Sequence, residues 1–191
     1  MIKSKKDLKT YLELDRQALG LKPRHFMKEL LAPNPILKFQ RTLRYLEYYS
    51  NVPSFRHRIL KLITHLRFRR LSLKLGFSIP INVFGPGLSI AHYGTIVVSR
   101  YAHIGAFCRI HACVNIGASG GSNDAPIIGN NCYIGPGAII FGGISLADNI
   151  TIGANSTVNK SHNTKNCIIA GTPAKIIKTE TDCWVKFNQI K

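Results

Sequence analysis

Three histidines within twenty residues are the side chains whose type and spacing are best suited to chemistry. His92 stands in "GLSIAHYGTIVV", His103 follows eleven residues later, and His111 eight residues after that. A neutral imidazole can take a proton from a reacting group near neutral pH, and imidazole is also a common zinc ligand. The segment therefore predicts a general base or a metal site, and the surrounding elements decide which histidines meet.

An aliphatic residue recurs every six positions through this region. Of the eleven positions counted in sixes from 98 to 158, ten are Val, Ile or Leu, and Ser122 is the exception within the loop-like stretch "ASGGSNDAP". A six-residue period is typical of a parallel β-helix. Three hexads would form one coil of about 18 residues, with the aliphatic side chains inside and glycine or asparagine at corners that tolerate positive φ.

The register predicts how the histidines are arranged. With 18 residues in a coil, Ile110 should stack on His92, and His111 follows it on the neighbouring coil. The two imidazoles should then share one site. His111 has two interpretations, a second functional imidazole or a surface residue beside Ile110, whereas His103 precedes the inward Ile104 and should be exposed.

The first 75 residues follow a helical pattern instead. Apolar residues recur at helical spacing from Leu8 to about Leu75, which predicts three or four short helices. Proline breaks the pattern between segments. The last helix is expected to bury one apolar stripe and to carry basic residues elsewhere. The prolines are Pro23, Pro33, Pro35 and Pro53, and the stripe is Leu60, Ile63, Leu66, Leu71 and Leu75.

The positive charge is concentrated in this helical part. The formal net charge is +17, and residues 1–75 contain 18 Lys or Arg against five Asp or Glu. This excess is consistent with the solvated face of a packed helix, or with contact to an anionic surface such as phospholipid head groups or a phosphate-bearing substrate. Nucleic acid is disfavoured because the segment contains no recognisable binding motif.

Composition limits the class of protein. A hydrophobic content of 45% indicates a globular chain. The sequence contains no run of 18 apolar residues, so no membrane-spanning helix is expected. The start "MIKSKKDLKTYLELD" lacks the apolar part of a secretory signal, so a cytoplasmic protein is expected. The odd number of cysteines, without a C-x-x-C pair, predicts reduced thiols that mainly pack. They are Cys108, Cys113, Cys132, Cys167 and Cys183.

Taken together, four features resemble a known family. The hexads, the histidine in "AHYGTIVV", the loop "IGASGGSNDAPIIG" and the closing "IIAGTPAKII" are similar to the hexapeptide-repeat acyltransferases. The match is to the serine O-acetyltransferase branch and its relatives that acetylate surface polysaccharides. The resemblance implies a mainly β protein built on a left-handed parallel β-helix, and the helical pattern places a small basic α-helical segment before it. It also implies a homotrimer, with acetyl-CoA in grooves between subunits.

The expected organisation has three parts: a basic helical segment over residues 1–75, a β-helix acyltransferase domain over 76–178 and a tail over 179–191. The resemblance covers roughly residues 79–178, so it implies nothing about the helical segment itself.

The resemblance also implies roles for particular residues. His92 matches the catalytic histidine, which removes the proton of an acceptor hydroxyl as that hydroxyl attacks a thioester. The predicted coil geometry adds His111, which as a second functional imidazole would orient the acceptor or stabilise the oxyanion. In the mechanism that we expect, backbone N–H groups of the glycine-rich corner around Gly117 would hold the oxyanion. By the resemblance, Gly135, Pro136 and Ala154 would line the pantetheine groove, and Lys175 would meet a CoA phosphate. Each of them also fits an ordinary β-helix position. No metal is expected, because the histidine spacing does not resemble that of the hexapeptide-repeat carbonic anhydrases.

Departures from the family pattern concern the acceptor. Ala91 stands where serine acetyltransferases have an aspartate before the catalytic histidine, and Ala125 stands where another histidine precedes the loop proline. The acidic partner of the catalytic base has no evident counterpart in "GFSIPINVFGPG". A zwitterion needs a carboxylate for its ammonium group, whereas a sugar hydroxyl does not.

The sequence therefore predicts an acetyl-CoA-dependent O-acetyltransferase that modifies a sugar hydroxyl in surface or capsular polysaccharide biosynthesis. The alternatives are serine O-acetylation in cysteine biosynthesis and a non-catalytic trimeric β-helix scaffold that binds an anionic partner. The expected location is cytoplasmic, with peripheral contact between residues 1–75 and an anionic inner membrane face.

Overall fold

The computed structural model describes residues 1–21, 34–182 and 184. Three helices lie within the described residues before position 76: α1 spans Lys5–Ala18, α2 spans Pro35–Asn51 and α3 spans Phe55–Leu75. Pro23 and Pro33, two of the predicted breakers, lie outside the described residues. None of the helices in the described ranges is long and apolar enough to cross a membrane.

Polar side chains fix where each helix begins. Ser4 and Ser54 accept hydrogen bonds from the backbone N–H groups of Asp7 and His57, three residues into α1 and α3. Asn34 caps α2 in the same way, ahead of a proline in the first turn. At its other end α3 stops at Gly76, which adopts φ 77°, a left-handed conformation that favours glycine.

The chain then winds into a three-sided left-handed parallel β-helix, as predicted. Successive coils add short strands to three faces, and neighbouring strands on a face are parallel; among the described strands, only the last pairs antiparallel with its neighbour. Face A contains β1 (Phe77–Ser78), β3 (Ile96–Val98), β6 (Val114–Gly117), β9 (Ile139–Phe141) and β12 (Thr157–Val158). Face B contains β4 (His103–Ile104), β7 (Ile127–Ile128) and β10 (Ser145–Leu146). Face C contains β2 (Ser89–Ile90), β5 (Arg109–Ile110), β8 (Tyr133–Ile134), β11 (Ile150–Ile152), β13 (Cys167–Gly171) and β14 (Ala174–Lys178).

The hexads form the core of this prism. All ten aliphatic residues of the register from Val98 to Val158 are buried. The corners correct one part of the prediction. Asparagines do adopt positive φ there, as at Asn131 (56°) and Asn149 (59°), but the glycine after each inward isoleucine does not. That glycine permits close approach between coils: a Cβ on Gly135 would lie 2.7 Å from the carbonyl oxygen of Ile152.

A buried ionic cluster joins the helices to the first coil. The Arg44 guanidinium is inaccessible to solvent and bonds Asp15 at 2.8 Å and Glu47 at 3.1 Å. It also donates to the carbonyl oxygens of Phe84 and Gly85, at 2.9 and 2.6 Å. Burial opposes the charge, but the two carboxylates outweigh it and raise the pKa of Arg44. The helical part is therefore fixed to the β-helix by directed polar contacts.

The predicted stripe on the last helix is wrong in most of its members. Only Leu71 and Leu75 pack towards the core, whereas Leu60, Ile63 and Leu66 are exposed. The packed face of α3 also includes Phe68, whose ring stacks on Phe39 at 5.3 Å. The helix has more apolar residues than one face can bury, so the spacing alone does not identify the inner one.

The thiols of the described residues are free, as predicted. Cys108, Cys132 and Cys167 are buried inside the coils, and Cys113 is exposed. Cys183 lies outside the described residues.

Candidate active site

His92 lies at the corner that follows β2 on face C. This corner recurs in each coil, and a ladder of backbone hydrogen bonds aligns its copies: the amides of Ala91, His111 and Gly135 donate to the carbonyls of Ile110, Ile134 and Ile152 at 3.0, 3.2 and 3.0 Å. His92 and His111 therefore project from neighbouring coils at the same corner, which we call the histidine corner (residues 91–95, 111–113, 135–138 and 153–155).

The register prediction for His92 is wrong by two residues. Ile90, not His92, is the partner of Ile110. The step from Ile90 to Ile110 contains 20 residues because the corner 91–95 is longer than in later coils. The additional residues place His92 outside the prism, where it is exposed. This corrected position suits an imidazole that must reach an external substrate.

The expected meeting of the two imidazoles is nevertheless present. The ring centroids of His92 and His111 are 5.8 Å apart, with an interplanar angle of 54°. His111 also contacts Tyr133 on the next coil, with ring centroids 4.9 Å apart. His103 lies on face B in β4 and is exposed, as expected, so it does not join this pair.

His111 has a distinct electrostatic character. Burial, followed by the nearby positive charge of Arg109 and then His92, lowers the pKa of His111 to about 4. Its imidazole is therefore neutral around pH 7. The Nε2 atom is buried and has no hydrogen-bond partner among the described residues. A neutral ring with an unpaired nitrogen is suited to donate to, or accept from, a polar atom of a ligand.

Asp148 and Asp124, two carboxylates of the β-helix, are placed away from His92. Asp148 lies at a different corner, where it bonds Asn130 and lies 3.6 Å from Lys165. Asp124 is in the loop, next to Gly143. Within the described ranges, no three His, Cys, Asp or Glu side chains are grouped in a way that could hold a metal ion.

Four of the five predicted donor-binding residues lie along the same line. The Ala112 carbonyl accepts from Gly137, and the Pro136 carbonyl accepts from Asn155, so Gly135, Pro136 and Ala154 extend the histidine corner over successive coils. Lys175 is exposed in β14, opposite Ala170 of β13, at the end of this series. Together Gly135, Pro136, Ala154 and Lys175 form a row of residues that leads away from the histidines, and we call this row the ledge.

Gly117 does not lie on that ledge. It ends β6 on face A, and its carbonyl accepts from the Gly142 amide at 3.1 Å. This is the corner between faces A and B, from which the loop 118–127 emerges. The width of face A therefore separates Gly117 from the histidine corner of the same chain.

Three contributors to the site surroundings were not predicted. Tyr133 packs on His111, and Arg109 bonds the Ser89 hydroxyl at 3.0 Å. Trp184 lies 5.7 Å from the Arg109 guanidinium and donates to the Phe107 carbonyl at 2.8 Å, so the tail returns to the second coil. The hexad register could have indicated Tyr133, because it follows Arg109 by one coil of about 18 residues plus the six residues inserted by the loop. No sequence pattern indicates that Trp184 packs back on the second coil.

Comparisons with known proteins bear on this arrangement. No model of a known protein family matches the sequence. The chain is 32% identical over 95 residues to a serine acetyltransferase of Synechococcus elongatus, covering 49% of this chain and 38% of that protein. It is 30% identical over 131 residues to a serine acetyltransferase of Staphylococcus epidermidis, covering 65% and 61%.

A solved structure agrees over a longer range. The crystal structure of serine acetyltransferase from Brucella abortus in complex with coenzyme A matches with a TM-score of 0.72 at 28% identity, covering 94% of this chain and 70% of that one. The chain spans about two fifths of the Synechococcus relative and three fifths of the Staphylococcus relative. These similarities confirm the predicted resemblance to hexapeptide-repeat acyltransferases of the serine acetyltransferase branch.

Proposed function

We propose that this chain is an acetyl-CoA-dependent O-acetyltransferase whose general base is His92. The observation that carries the proposal is the exposed His92 ring paired with a neutral His111 at the start of the ledge. The relatives supply the chemistry, since they are serine acetyltransferases and one was solved with coenzyme A.

In the proposed reaction His92 takes the proton of the acceptor hydroxyl as its oxygen attacks the thioester carbonyl of acetyl-CoA. The carbon–sulfur bond then breaks, and the proton passes from His92 to the departing thiolate. His111 stays neutral and uses its unpaired Nε2 to position the acceptor or the carbonyl oxygen. The ledge residues Gly135, Pro136 and Ala154 line the pantetheine arm, and Lys175 meets a phosphate of the donor.

Serine is the acceptor that the comparisons favour. The sequence departures favoured a sugar hydroxyl, but the relatives described above are serine acetyltransferases, which fits the serine alternative better. We therefore propose serine as the acceptor, which would place the enzyme in cysteine biosynthesis.

One structural observation keeps a sugar hydroxyl as a second candidate. Neither Asp124 nor Asp148 lies at the histidine corner of its own chain, and Ala91 replaces the aspartate beside the base. A serine ammonium group would then need a carboxylate other than these two, whereas a sugar would not.

An acceptor screen separates these possibilities. Release of the CoA thiol from acetyl-CoA is measured with serine, homoserine and a panel of sugars, and the product is identified by mass spectrometry. We expect saturable acetyl-CoA binding and serine-dependent release. Release with a sugar and not with serine would select the second candidate. Absence of both binding and release would leave the scaffold alternative and refute the enzyme.

The Ala91→Asp variant tests acceptor choice at one residue. A carboxylate beside His92 should pair with the serine ammonium group, so kcat/KM for serine should rise while that for an amine-free alcohol should not. The wild-type chain is the matched control. An equal change for both acceptors would show that residue 91 does not contact the ammonium group.

A trimer, a cytoplasmic location and contact of residues 1–75 with an anionic membrane also remain predictions. The trimer matters for the oxyanion role of Gly117. Because face A separates this glycine from His92 of its own chain, that role requires Gly117 of a second copy.

A further inference from the structure

Helix α3 carries a second apolar stripe, which faces away from the protein. Phe55, Ile59, Leu62, Leu66 and Leu73 recur at intervals of four, three, four and seven residues, so they share one side of the helix. Each is between 55% and 79% exposed. At 1.5 Å per residue the stripe is about 27 Å long. Single exposed leucines are ordinary on protein surfaces, but a continuous stripe marks an interaction site.

Positive charge borders this stripe on both sides. At 100° per residue, Arg58 and Arg69 lie along one border, and Arg56, Arg70 and Lys74 along the other. The sequence of α3 contains no Asp or Glu. An apolar strip with Lys and Arg at its edges is the arrangement of helices that lie in the interface of an anionic bilayer, where the long basic side chains extend towards the head groups.

A cationic groove lies beside the stripe. The groove between α2 and α3 has a volume of about 650 Å³ and is lined by Lys38, Arg41, Arg67 and Arg70, with Tyr45 among its other side chains. Arg70 belongs both to this groove and to the border of the stripe. A phosphate group in the groove would therefore lie next to acyl chains in contact with the stripe.

We propose that α3 docks this protein on anionic phospholipid bilayers, with the stripe in the acyl boundary and the bordering arginines on lipid phosphates. This inference does not depend on the proposed acetyl transfer. The positive charge of α3 favours an anionic bilayer over a second copy of this chain as the partner of the stripe. Two α3 helices facing each other would bring seven basic residues against seven, with no acidic residue on either helix.

The experiment uses the full chain and sedimentation with vesicles of phosphatidylcholine, alone or mixed with phosphatidylglycerol. We expect binding to the mixed vesicles at low salt, at least ten-fold weaker binding to phosphatidylcholine alone, and loss of binding as salt screens the charges. Leu62→Gln with Leu66→Gln should weaken binding at least ten-fold. The matched control is Ile176→Gln with Ile177→Gln in β14, because its targets are 42% and 65% exposed against 63% and 55% for the leucines. That control should bind like the wild type.

A second set of variants tests the charges, by comparing two double variants that each remove two positive charges. Arg69→Gln with Arg70→Gln should reduce affinity at least ten-fold, whereas Lys5→Gln with Lys9→Gln on α1 should change it by less than two-fold. Equal losses in both pairs would show general charge attraction and overturn the assignment to α3. A separate Phe55→Trp variant should gain blue-shifted emission, relative to the wild type, only with anionic vesicles.

Two further outcomes would overturn the proposal. The stripe variant could retain full vesicle binding, which would exclude insertion of these leucines. Alternatively, light scattering without lipid could show that the same variant reduces the mass of the assembly, which would identify the stripe as a contact between copies. Serine-dependent thiol release by the stripe variant in the absence of vesicles should equal that of the wild type, so failure of docking is distinguishable from failure of the proposed catalysis.

Discussion

At the scale of single residues, His92 and His111 divide the proposed work between them. His92 is exposed and can meet an acceptor proton, whereas His111 is half-buried beside it and held neutral by its surroundings. One ring therefore moves a proton while the other offers a fixed hydrogen-bonding atom. This division leads to separate expectations for the two substitutions.

His92→Ala should lower kcat by about 10² to 10⁴ because the variant lacks a positioned general base. The dissociation constant for acetyl-CoA should stay close to that of the wild type, because the imidazole acts on the acceptor. Steady-state kinetics and calorimetric titration measure the two quantities. His103→Ala is the matched control, since His103 is an exposed histidine of the same β-helix. A His92→Ala enzyme with more than half of the wild-type turnover would contradict the assignment.

His111 predicts an acid-dependent change in stability. Its pKa of about 4 in the folded chain is below the ordinary value of 6.5, so the unfolded chain binds the proton first as the pH falls. His111 therefore leaves the free energy of unfolding unchanged above about pH 6.5 and lowers it progressively as the pH falls from 6.5 to 4. The thermal midpoint should therefore fall less from pH 7 to 4.5 in His111→Gln than in the wild type. His103→Gln should behave like the wild type, and a His111→Gln curve parallel to that of the wild type would refute the cause.

At the scale of elements, the hexads could be predicted because the prism accepts only inward aliphatic side chains at a fixed interval. Ile110, Ile134 and Ile152 are inward and stack as their spacing requires. Corner lengths could not be predicted in this way. The longer corner at 91–95 leaves the interior pattern of later coils intact, so counting in sixes back from Val98 gives His92 an inward place that it does not have.

Helix α3 shows the complementary limit. Its spacing supports several stripes, and only tertiary packing through Phe68, Leu71 and Leu75 decides which one turns inward. The buried ionic cluster has one local pair, Arg44 with Glu47 three residues on, but its other members come from α1 and the first coil. Long-range contacts of this kind are set by the assembled fold and have no short-range signature.

Arg44→Met should be strongly destabilising because it leaves Asp15 and Glu47 buried without a counter-charge. Removal of one partner from a buried ion cluster typically costs about 3 to 5 kcal/mol. Urea unfolding followed by circular dichroism measures the loss. Lys38→Met, an exposed basic residue of the same helix, is the control and should change stability by less than about 0.5 kcal/mol.

Adding Asp15→Asn and Glu47→Gln to Arg44→Met should recover part of the lost stability, since it removes the unpaired charges. A triple variant less stable than Arg44→Met would show that packing, and not charge, dominates the cluster.

At the scale of the whole molecule, the separation of His92 from Gly117 in one chain is a chemical reason for the predicted trimer, because a second copy can supply Gly117. The two corners lie at opposite edges of face A, and apolar side chains are exposed on the outer surfaces between corners. Val97 and Ile139 project from face A, and Ile127 from face B. Rotation of identical prisms about a threefold axis can cover such faces and bring the histidine corner of one copy beside the Gly117 corner of the next.

Ile139→Glu should therefore dissociate the assembly and abolish acetyl transfer together, because a charge on a covered apolar face is costly and each site would lose its second copy. Light scattering should give three times the 21.2 kDa chain mass for the wild type and a single chain mass for the variant. Ile177→Glu, an exposed isoleucine in the terminal strand β14, is the matched control and should remain assembled. Circular dichroism establishes that each chain is folded. If the dissociated chain retained wild-type turnover, His92 would not depend on Gly117 of a second copy, and each site would be complete within one chain.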